Sequence, residues 1–179
     1  WSTSPAATEI ESHVLDWLVD LLDLPSYWKT TEQGGGVLQM SASDSTHTAL
    51  VVARHQATNR GVQPGSMVAY ASTQTHSSIQ KGATVAGYGH VRLIDVDGQQ
   101  AMNIEALQSA VEEDKANGLS PVFVAATLGT TGTTGVDPIE AMGAICKEHD
   151  LWLHVDAAYA GNAMICPEFR HYQAGLDLV

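Results

Sequence analysis

One carboxylate in this 179-residue chain stands where a ligand could reach it. Residues 151–155 form an apolar segment typical of a buried strand, and Asp156 follows it directly. Mostly small side chains come next, at residues 157–161. A carboxylate at the mouth of a sheet can hold a protonated ring nitrogen, because the ion pair keeps that nitrogen charged. Since a charged ring acts as an electron sink, Asp156 is the first candidate for catalysis.

The segment between residues 34 and 45 carries groups suited to a phosphate. Three consecutive glycines, residues 34–36, let the backbone approach a ligand closely. Residues 41–45 precede an apolar, Ala-rich helix, and a helix N-terminus offers unpaired amides and a favourable dipole to an anion. Ser43 can add its hydroxyl. In the alternative interpretation, the glycines only turn the chain and Ser43 only caps the helix.

Two further candidates follow predicted strands. His76 comes after a short apolar strand and offers a flat imidazole that can stack on a planar ligand, while Ser77 would cap the next helix. Residues 129–135 place threonines and glycines at the exit of another strand, and Asp137, just before a proline, is a natural N-cap. Taken singly, His76 can also be explained as a surface histidine at a helix start. The loop of residues 129–135 can also be explained as a flexible turn followed by a cap.

The other histidines and the cysteines do not form a metal pattern. His154 lies on the same strand face as Asp156, and packing or support of that carboxylate is its favoured role. The spacing of His149 and His154 is unlike that of zinc ligands, so we expect no metal. Cys146 and Cys166 lie in apolar settings and are expected to be buried, reduced thiols.

Hydrophobic periodicity and cap signals predict helices that alternate with strands. Thr8 and Glu11 have capping-box spacing and lead into an apolar stripe that ends at Pro25, which predicts a packing helix. Asn103 is the expected cap of a later helix. The predicted strands are 67–71, 91–96, 121–128 and 151–155, and the other predicted helices are 48–61, 76–83, 104–117 and 138–149.

This alternation predicts an α/β fold, a mostly parallel sheet with helices on both faces and right-handed crossovers. Ligands in such sheets bind at the carboxyl ends of the strands, where Asp156 and the segments 72–78 and 129–135 are placed. Neither a GxGxxG nor a GxxxxGK[ST] motif occurs, which disfavours a dinucleotide-binding module.

Composition narrows the partners. The formal net charge of -12 argues against nucleic acid or an anionic membrane surface, because no basic patch offsets it. A long apolar run and a signal-peptide pattern are both absent, which predicts a soluble, cytoplasmic protein. The chain starts at Trp1 and stops within an apolar segment, so we expect it to be a piece of a longer protein.

Together these motifs resemble the group II pyridoxal-phosphate-dependent amino-acid decarboxylases, and most of all their aromatic-L-amino-acid decarboxylase branch. Residues 157–161, followed by Cys-Pro-Glu-Phe-Arg at 166–170, are more similar to the aromatic and histidine decarboxylases than to the glutamate decarboxylases. The resemblance extends over nearly the whole chain and is carried by residues 1–6, 34–39, 42–44, 74–78, 126–132, 154–161 and 165–171.

The resemblance implies a fold type I PLP-dependent transferase-like large domain that binds pyridoxal 5'-phosphate (PLP). It implies decarboxylation of an aromatic L-amino acid to the amine and carbon dioxide by a homodimer, with His76 and Asp156 as the catalytic residues. Asp44 stands where the family usually has Glu, and residues 132–135 are richer in glycine than in the animal enzymes. The implied cofactor contacts are Ala42 and Ser43 on the phosphate, His76 stacked on the ring, Asp156 at the ring nitrogen, Thr131 against the cofactor and Ala158 beside it.

The family's Schiff-base lysine lies in an Asn-Pro-His-Lys segment that does not occur in this chain. Residues 1–179 are therefore expected to be a partial PLP-binding large domain, inactive alone and lacking the N-terminal dimerisation segment, the lysine segment and the small C-terminal domain. Two alternatives stay open: an aldehyde synthase on the same fold, and a truncated product that binds without turnover. The choice of amino acid is not fixed by these residues.

Overall fold

The structure is a computed structural model that describes residues 2–179, so Trp1 and the part of the resemblance that rests on it lie outside the described residues. The described residues form five α-helices and four strands. Two helices come first, strands and helices alternate after them, and short 3-10 turns connect or follow these elements. The elements are α1 (Pro5–Leu21), α2 (Ala42–Asn59), β1 (Met67–Ser72), α3 (Ser78–Ala86), β2 (His90–Ile94), α4 (Ile104–Ala116), β3 (Ser120–Thr127), α5 (Ile139–His149) and β4 (Trp152–Asp156).

The four strands form one parallel sheet in the order β2-β1-β3-β4. The chain moves outward in one direction from β1 to β2 and in the other from β3 to β4, so the strand order reverses between β1 and β3. Pairing of β1 with β3 extends only to Tyr70 and Val124, whereas β3 and β4 stay paired to Thr127 and Asp156. A crevice can therefore open between the carboxyl ends of β1 and β3.

Helices cover both faces of the sheet, which confirms the predicted α/β architecture. On one face, α4 and α5 pack against alternate strand residues such as Tyr70 and Val124. On the other, α2 and α3 pack Leu50 and Ile79 against Met67 and neighbouring strand residues. Because β1 and most of β3 are covered on both sides, their sequences are continuous apolar runs rather than alternating ones.

The first helix differs from its prediction in two ways. It begins at Pro5 after Ser4, because a proline is pre-organised for the first helical position, and the Thr8 hydroxyl bonds back to the Ser4 carbonyl instead of capping. Much of the expected packing stripe faces outward. Leu22 is buried, but the side chains of Ile10, Val14, Trp17 and Leu21 are exposed.

Helix starts were predicted less well than helix positions. The cap of α2 is Ser41, whose hydroxyl accepts from the Asp44 amide, and not Ser43. At α3 the Ser77 side chain makes no capping bond. Asp137 does not cap α5, since its carboxylate binds two amides elsewhere in the fold. The prediction for Asn103 is confirmed, because its side chain accepts from the Ala106 amide.

The cysteine prediction is half right. Cys146 is a buried free thiol, and burial raises its pKa to about 12, but Cys166 is exposed. Within residues 2–179, no cluster of three or more His, Cys, Asp and Glu side chains is arranged to hold a metal ion. None of the helices described has the length and apolar character needed to cross a membrane.

Candidate active site

A pocket of about 500 Å³ opens at the carboxyl ends of the strands, with the N-termini of α2 and α3 on its rim. Its volume is within the range of small-molecule sites, roughly 300–1,000 Å³. It lies beside the reversal of strand order, as expected for a ligand of a parallel sheet. The pocket is lined by Ser41, Ala42, Ser43, Gln74, Thr75, His76, Ser77, Ser78, Thr127, Gly129, Thr130, Thr131, Gly132, Asp156, Ala158 and Tyr159.

All six residues predicted to contact a ligand line this one pocket, although they come from four separate segments of the chain. The fold thus brings together groups that are up to 116 positions apart, since Ala42 and Ala158 are both in the wall (158 − 42 = 116). Their individual roles toward a ligand remain predictions. The six are Ala42, Ser43, His76, Thr131, Asp156 and Ala158.

The N-terminus of α2 supplies anion-binding groups to one end of the pocket. The Asp44 amide donates to the Ser41 hydroxyl. Among the described residues, however, the amides of Ala42 and Ser43 donate no hydrogen bond. The side chain of Ser43 is exposed and equally without a partner in residues 2–179. Two free amides, a hydroxyl and the positive end of a helix dipole suit a phosphate.

His76 is fixed by the start of α3. Its Nδ1 accepts a hydrogen bond from the Ser78 amide at 3.2 Å and lies 2.9 Å from the Ser78 hydroxyl oxygen. A backbone amide can only donate, so Nδ1 carries no proton and the neutral ring has its proton on Nε2. The exposed imidazole therefore presents a flat face and an Nε2–H donor to the pocket.

Asp156 ends β4 with its carboxylate at the pocket wall. One carboxylate oxygen, Oδ1, accepts from the Ala158 amide at 3.1 Å, and its main-chain carbonyl accepts from the Leu128 amide at 2.8 Å. These two bonds fix both the backbone and the rotamer. The second carboxylate oxygen, Oδ2, has no partner among the described residues. It can therefore accept a hydrogen bond from a protonated nitrogen of a ligand.

A tightly closed loop carries Thr131. The amides of Gly129 and Thr130 both donate to the Gly135 carbonyl, and the buried Thr130 hydroxyl accepts from the Gly135 amide at 3.0 Å. Gly129 has a φ of +81°, and a Cβ there would lie 2.7 Å from the Ala160 Cβ, so only glycine lets the loop pass this close. Thr131 is left exposed at the tip, facing the pocket.

Several lining residues were not singled out from the sequence. Thr75 and Thr127 meet on the pocket floor with their hydroxyl oxygens 3.4 Å apart, and Tyr159 stands exposed on the wall. Thr127 could have been found as the last residue of its strand. Thr75 and Tyr159 carried only their proximity to stronger candidates as a signal.

His154 packs rather than supports the carboxylate. Its ring is stacked on Phe123 at a centroid distance of 5.6 Å, and within residues 2–179 no hydrogen bond connects it to Asp156. Burial lowers the pKa of His154 and so favours the neutral ring, whereas the charge of Asp156 has a smaller, opposing effect.

Lysines are absent from the pocket wall in the part of the chain that the structure describes. Lys29 pairs with Asp20, Lys115 bonds to His149, and neither Lys81 nor Lys147 lines the cavity. The described residues can therefore bind a ligand but offer no amine to it.

The family comparison matches the whole of this chain. Residues 1–179 fit the family described as "Pyridoxal-dependent decarboxylase conserved domain". The chain belongs to this family. As a pyridoxal-dependent decarboxylase domain, it is expected to hold a cofactor that has a phosphate at one end and a ring nitrogen at the other, the two groups for which the pocket has free partners.

Similar proteins agree with the family. The chain is 48% identical to the aromatic-L-amino-acid decarboxylase of Sus scrofa over 99% of its own length and 39% of that protein's. It superposes on Catharanthus roseus tryptophan decarboxylase, solved with L-tryptophan, with a TM-score of 0.95, 43% identity and coverage of 100% and 40%. Rhodiola rosea 4-hydroxyphenylacetaldehyde synthase gives a TM-score of 0.96 with 43% identity and the same coverage. The fold type I assignment is confirmed by these neighbours, and this decarboxylase domain spans about two fifths of their lengths.

The pocket of this decarboxylase domain fits pyridoxal 5'-phosphate on its donor set. The free α2 amides and Ser43 match the phosphate, and the free oxygen of Asp156 matches a protonated ring nitrogen. His76 lies on the wall of the same cavity and has a flat ring that can stack on the cofactor. The residues present thus meet the requirements of the cofactor except for the lysine.

Proposed function

We propose that the protein containing this chain decarboxylates an aromatic L-amino acid, with pyridoxal 5'-phosphate, to the amine and carbon dioxide. The observation that carries the proposal is the pairing, in one pocket, of two groups that have no hydrogen-bond partner among the described residues: the first amides of α2 and one carboxylate oxygen of Asp156. A charged ring at Asp156 and a phosphate at α2 would span the cavity between these two groups.

Each wall residue has a role that follows from its contacts. The amides of Ala42 and Ser43, with the Ser43 hydroxyl, hold the phosphate, and Asp156 holds the proton on the ring nitrogen. His76, whose Nδ1 accepts from the Ser78 amide, would stack on the ring and keep its Nε2–H free to donate to the substrate. When bound, the cofactor supplies the electron sink for breaking the bond to the carboxyl group.

Thr131 and Ala158 limit the width of the pocket around the ring. The closed loop would place Thr131 against the cofactor, and Ala158, whose amide orients Asp156, would lie beside it. A small side chain at residue 158 leaves the carboxylate accessible to the ring nitrogen. These two residues position the cofactor and are not assigned a proton-transfer step.

The proposed substrate class rests on relatives. Curated proteins similar to this chain include tryptophan decarboxylase 2 of Oryza sativa subsp. japonica and tyrosine decarboxylase 2 of Narcissus pseudonarcissus, at 45% and 44% identity. Mus musculus histidine decarboxylase is also 44% identical. A flat side chain on the substrate is common to all three names, so we propose an aromatic L-amino acid.

We propose that residues 1–179 are the cofactor-binding part of a larger catalytic domain. The share of the relatives' length that is covered, 39%, and the lack of a lysine on the described pocket wall support this. The lysine segment, the N-terminal dimerisation segment and the small C-terminal domain would belong to the rest of the protein. A cytoplasmic location stays a prediction from the sequence.

A homodimer is the proposed assembly. The exposed apolar face of α1, formed by Ile10, Val14, Trp17 and Leu21, is the support for a partner surface. The amide of Leu38 donates to the Glu11 carboxylate at 2.9 Å, so α1 contacts the segment that leads to Ser41 on the pocket wall. A second copy seated there would adjoin the active site. Trp17→Ser should shift the full-length protein toward monomer in sedimentation velocity, and an unchanged dimer would contradict this placement.

An aldehyde synthase is the second candidate, because the Rhodiola rosea enzyme is as similar in fold as the decarboxylases. The two differ in product. Incubation of the full-length protein with L-tryptophan, L-tyrosine or L-phenylalanine should give the amine. Aldehyde with hydrogen peroxide and ammonia would favour the synthase. If neither the amine nor the aldehyde forms, and addition of the cofactor does not change the absorbance, the protein would be a non-catalytic, truncated form.

Asp156→Ala in the full-length protein tests the decarboxylase proposal. Loss of the ring-nitrogen partner should lower turnover by about a thousandfold or more, on the order of 4 kcal/mol of transition-state stabilisation. Asp95→Ala is the matched control, because Asp95 also follows a strand end but lies outside the pocket wall. Near-normal amine formation by the Asp156 variant would refute the assignment.

A further inference from the structure

We propose that Asp137 is a positioning residue of this pocket. Its carboxylate replaces the strand neighbour that β3 loses at its carboxyl end, and it thereby holds the loop of residues 128–136 that presents Thr131. The inference rests on the proposed function only in naming the ligand that the loop contacts. Asp137 itself does not line the pocket.

The contacts of Asp137 connect three segments. Its Oδ2 accepts from the Thr127 amide at 2.8 Å, and its Oδ1 accepts from the Met102 amide at 2.7 Å. Its own amide donates to the Thr127 carbonyl at 3.0 Å. The residue is only 2% exposed, so water cannot replace these bonds. Asp137 thus joins the end of β3, the start of α5 and the turn before α4.

The position of these bonds shows what the side chain replaces. The Leu128 amide bonds to Asp156 on β4, and successive amides of a strand point to opposite sides, so the Thr127 amide faces the β1 side. β1 has stopped pairing with β3 by this level. An unpaired buried amide destabilises a fold, and the carboxylate of Asp137 avoids this by accepting from the Thr127 amide.

The loop of residues 128–136, whose two ends are held by Asp137, contributes residues 129–132 to the pocket wall. It leaves at Thr127, whose hydroxyl lies on the pocket floor, and returns at Asp137. Leu128, the next residue, also bonds the main chain of Asp156. A shift at Thr127 would therefore move Thr131 and the carboxylate at the ring nitrogen together.

A carboxylate fits this position better than an amide. Both partners are N–H donors, and a carboxylate provides an acceptor oxygen for each, whereas Asn would turn an NH₂ group toward one of them. Asp137→Asn keeps the size of the side chain and removes one of the two bonds. The expected consequence is a looser loop on an otherwise intact fold.

The test compares Asp137→Asn with Asp114→Asn in the full-length protein. Asp114 is equally buried, at 2% exposed, but bonds Arg92 and Tyr70 away from the pocket. The first readout is the dissociation constant of pyridoxal 5'-phosphate, with the circular dichroism of the bound cofactor. The second is hydrogen exchange of residues 127–137 in the apoprotein.

Asp137→Asn should weaken cofactor binding about tenfold, equivalent to about 1.4 kcal/mol, alter the dichroism band and speed exchange in the loop. Asp114→Asn should lower the melting temperature but keep the dissociation constant within about twofold of wild type. Unchanged cofactor binding in Asp137→Asn, or equal weakening in both variants, would overturn the proposal.

Two further outcomes remain decisive. If wild type does not bind the cofactor, the proposed function fails, but unchanged loop exchange in Asp137→Asn would still overturn the positioning role on its own. If Asp137→Asn does not fold, hydrogen exchange of single amides in the wild-type protein tests the positioning role instead. The Thr127 and Met102 amides should exchange as slowly as those inside β3, and fast exchange would overturn the proposal.

Discussion

Asp114 and Asp137 are two equally buried carboxylates that are stabilised in opposite ways. Asp114 accepts from the Arg92 guanidinium at 2.7 Å and from the Tyr70 hydroxyl at 2.8 Å, and so has a cationic partner. Asp137 accepts from two backbone amides and has no cationic partner within residues 2–179. The first residue connects side chains across β1, β2 and α4, and the second holds main chain next to the pocket.

The pKa values show the difference. Burial raises the pKa of Asp114, but the hydrogen bonds from Arg92 and Tyr70 outweigh burial and leave it below its usual value. Burial also raises the pKa of Asp137, and the amides of Met102 and Thr127 only partly compensate, so it stays above its usual value. The Arg92 cation favours the ionised form of Asp114, whereas the two amides at Asp137 do not fully offset the cost of burying its charge.

The largest effect on stability is expected for Asp114→Ala. The change leaves the buried Tyr70 hydroxyl without its acceptor and Arg92 without its partner, so the free energy of unfolding should fall by about 2–3 kcal/mol. Arg92 is partly exposed, which keeps the loss below that of a fully buried pair. Urea denaturation measures it. A loss no greater than that of Asp137→Asn would remove the contrast between the two carboxylates.

A smaller effect is expected for Tyr70→Phe. This change removes one of the donors to Asp114 but keeps the ring in the core, so the free energy of unfolding should fall by about 1 kcal/mol. The double variant with Asp114→Ala should be less destabilised than the sum of the singles, because the two side chains share one bond. Additive losses in the same denaturation experiment would show that they do not interact.

The smallest effect is a difference in pH dependence, and its sign separates the two residues. The pKa of Asp114 is lowered from 3.8, so its contribution is complete above that pH and is lost as the pH falls through the folded-state value. The pKa of Asp137 is raised from 3.8, so its contribution is present below that pH and is lost as the pH rises through the folded-state value.

Denaturation between about pH 3 and about pH 7 measures these slopes, because this range includes the ordinary Asp pKa of 3.8, from which the two folded-state pKa values depart in opposite directions. The stability gap between wild type and Asp114→Asn should shrink toward acid, and the gap between wild type and Asp137→Asn should widen toward acid. Parallel gaps would mean that both carboxylates are stabilised alike.

The elements and the pocket were predictable to different degrees. The strands were found within a residue or two, because β1 and β3 are continuous apolar runs that indicate burial on both faces, and the sequence of β2 alternates as a strand does. Helix starts at α1, α2 and α3 were predicted less well, since several Ser and Thr side chains could cap and only local geometry selects one. The role of Asp137 was missed because a carboxylate before a proline is a common cap.

By itself, the sequence determined the alternation of helices and strands, the family and six of the residues that line the pocket, because periodicity and motifs are local properties of the chain. Tertiary structure decided that Ser43 and Asp156 share one cavity, that Asp137 completes β3, and that α1 keeps an apolar face exposed. Those outcomes depend on where β1 and β3 diverge, and no local pattern encodes the distance between segments that meet only in the folded sheet.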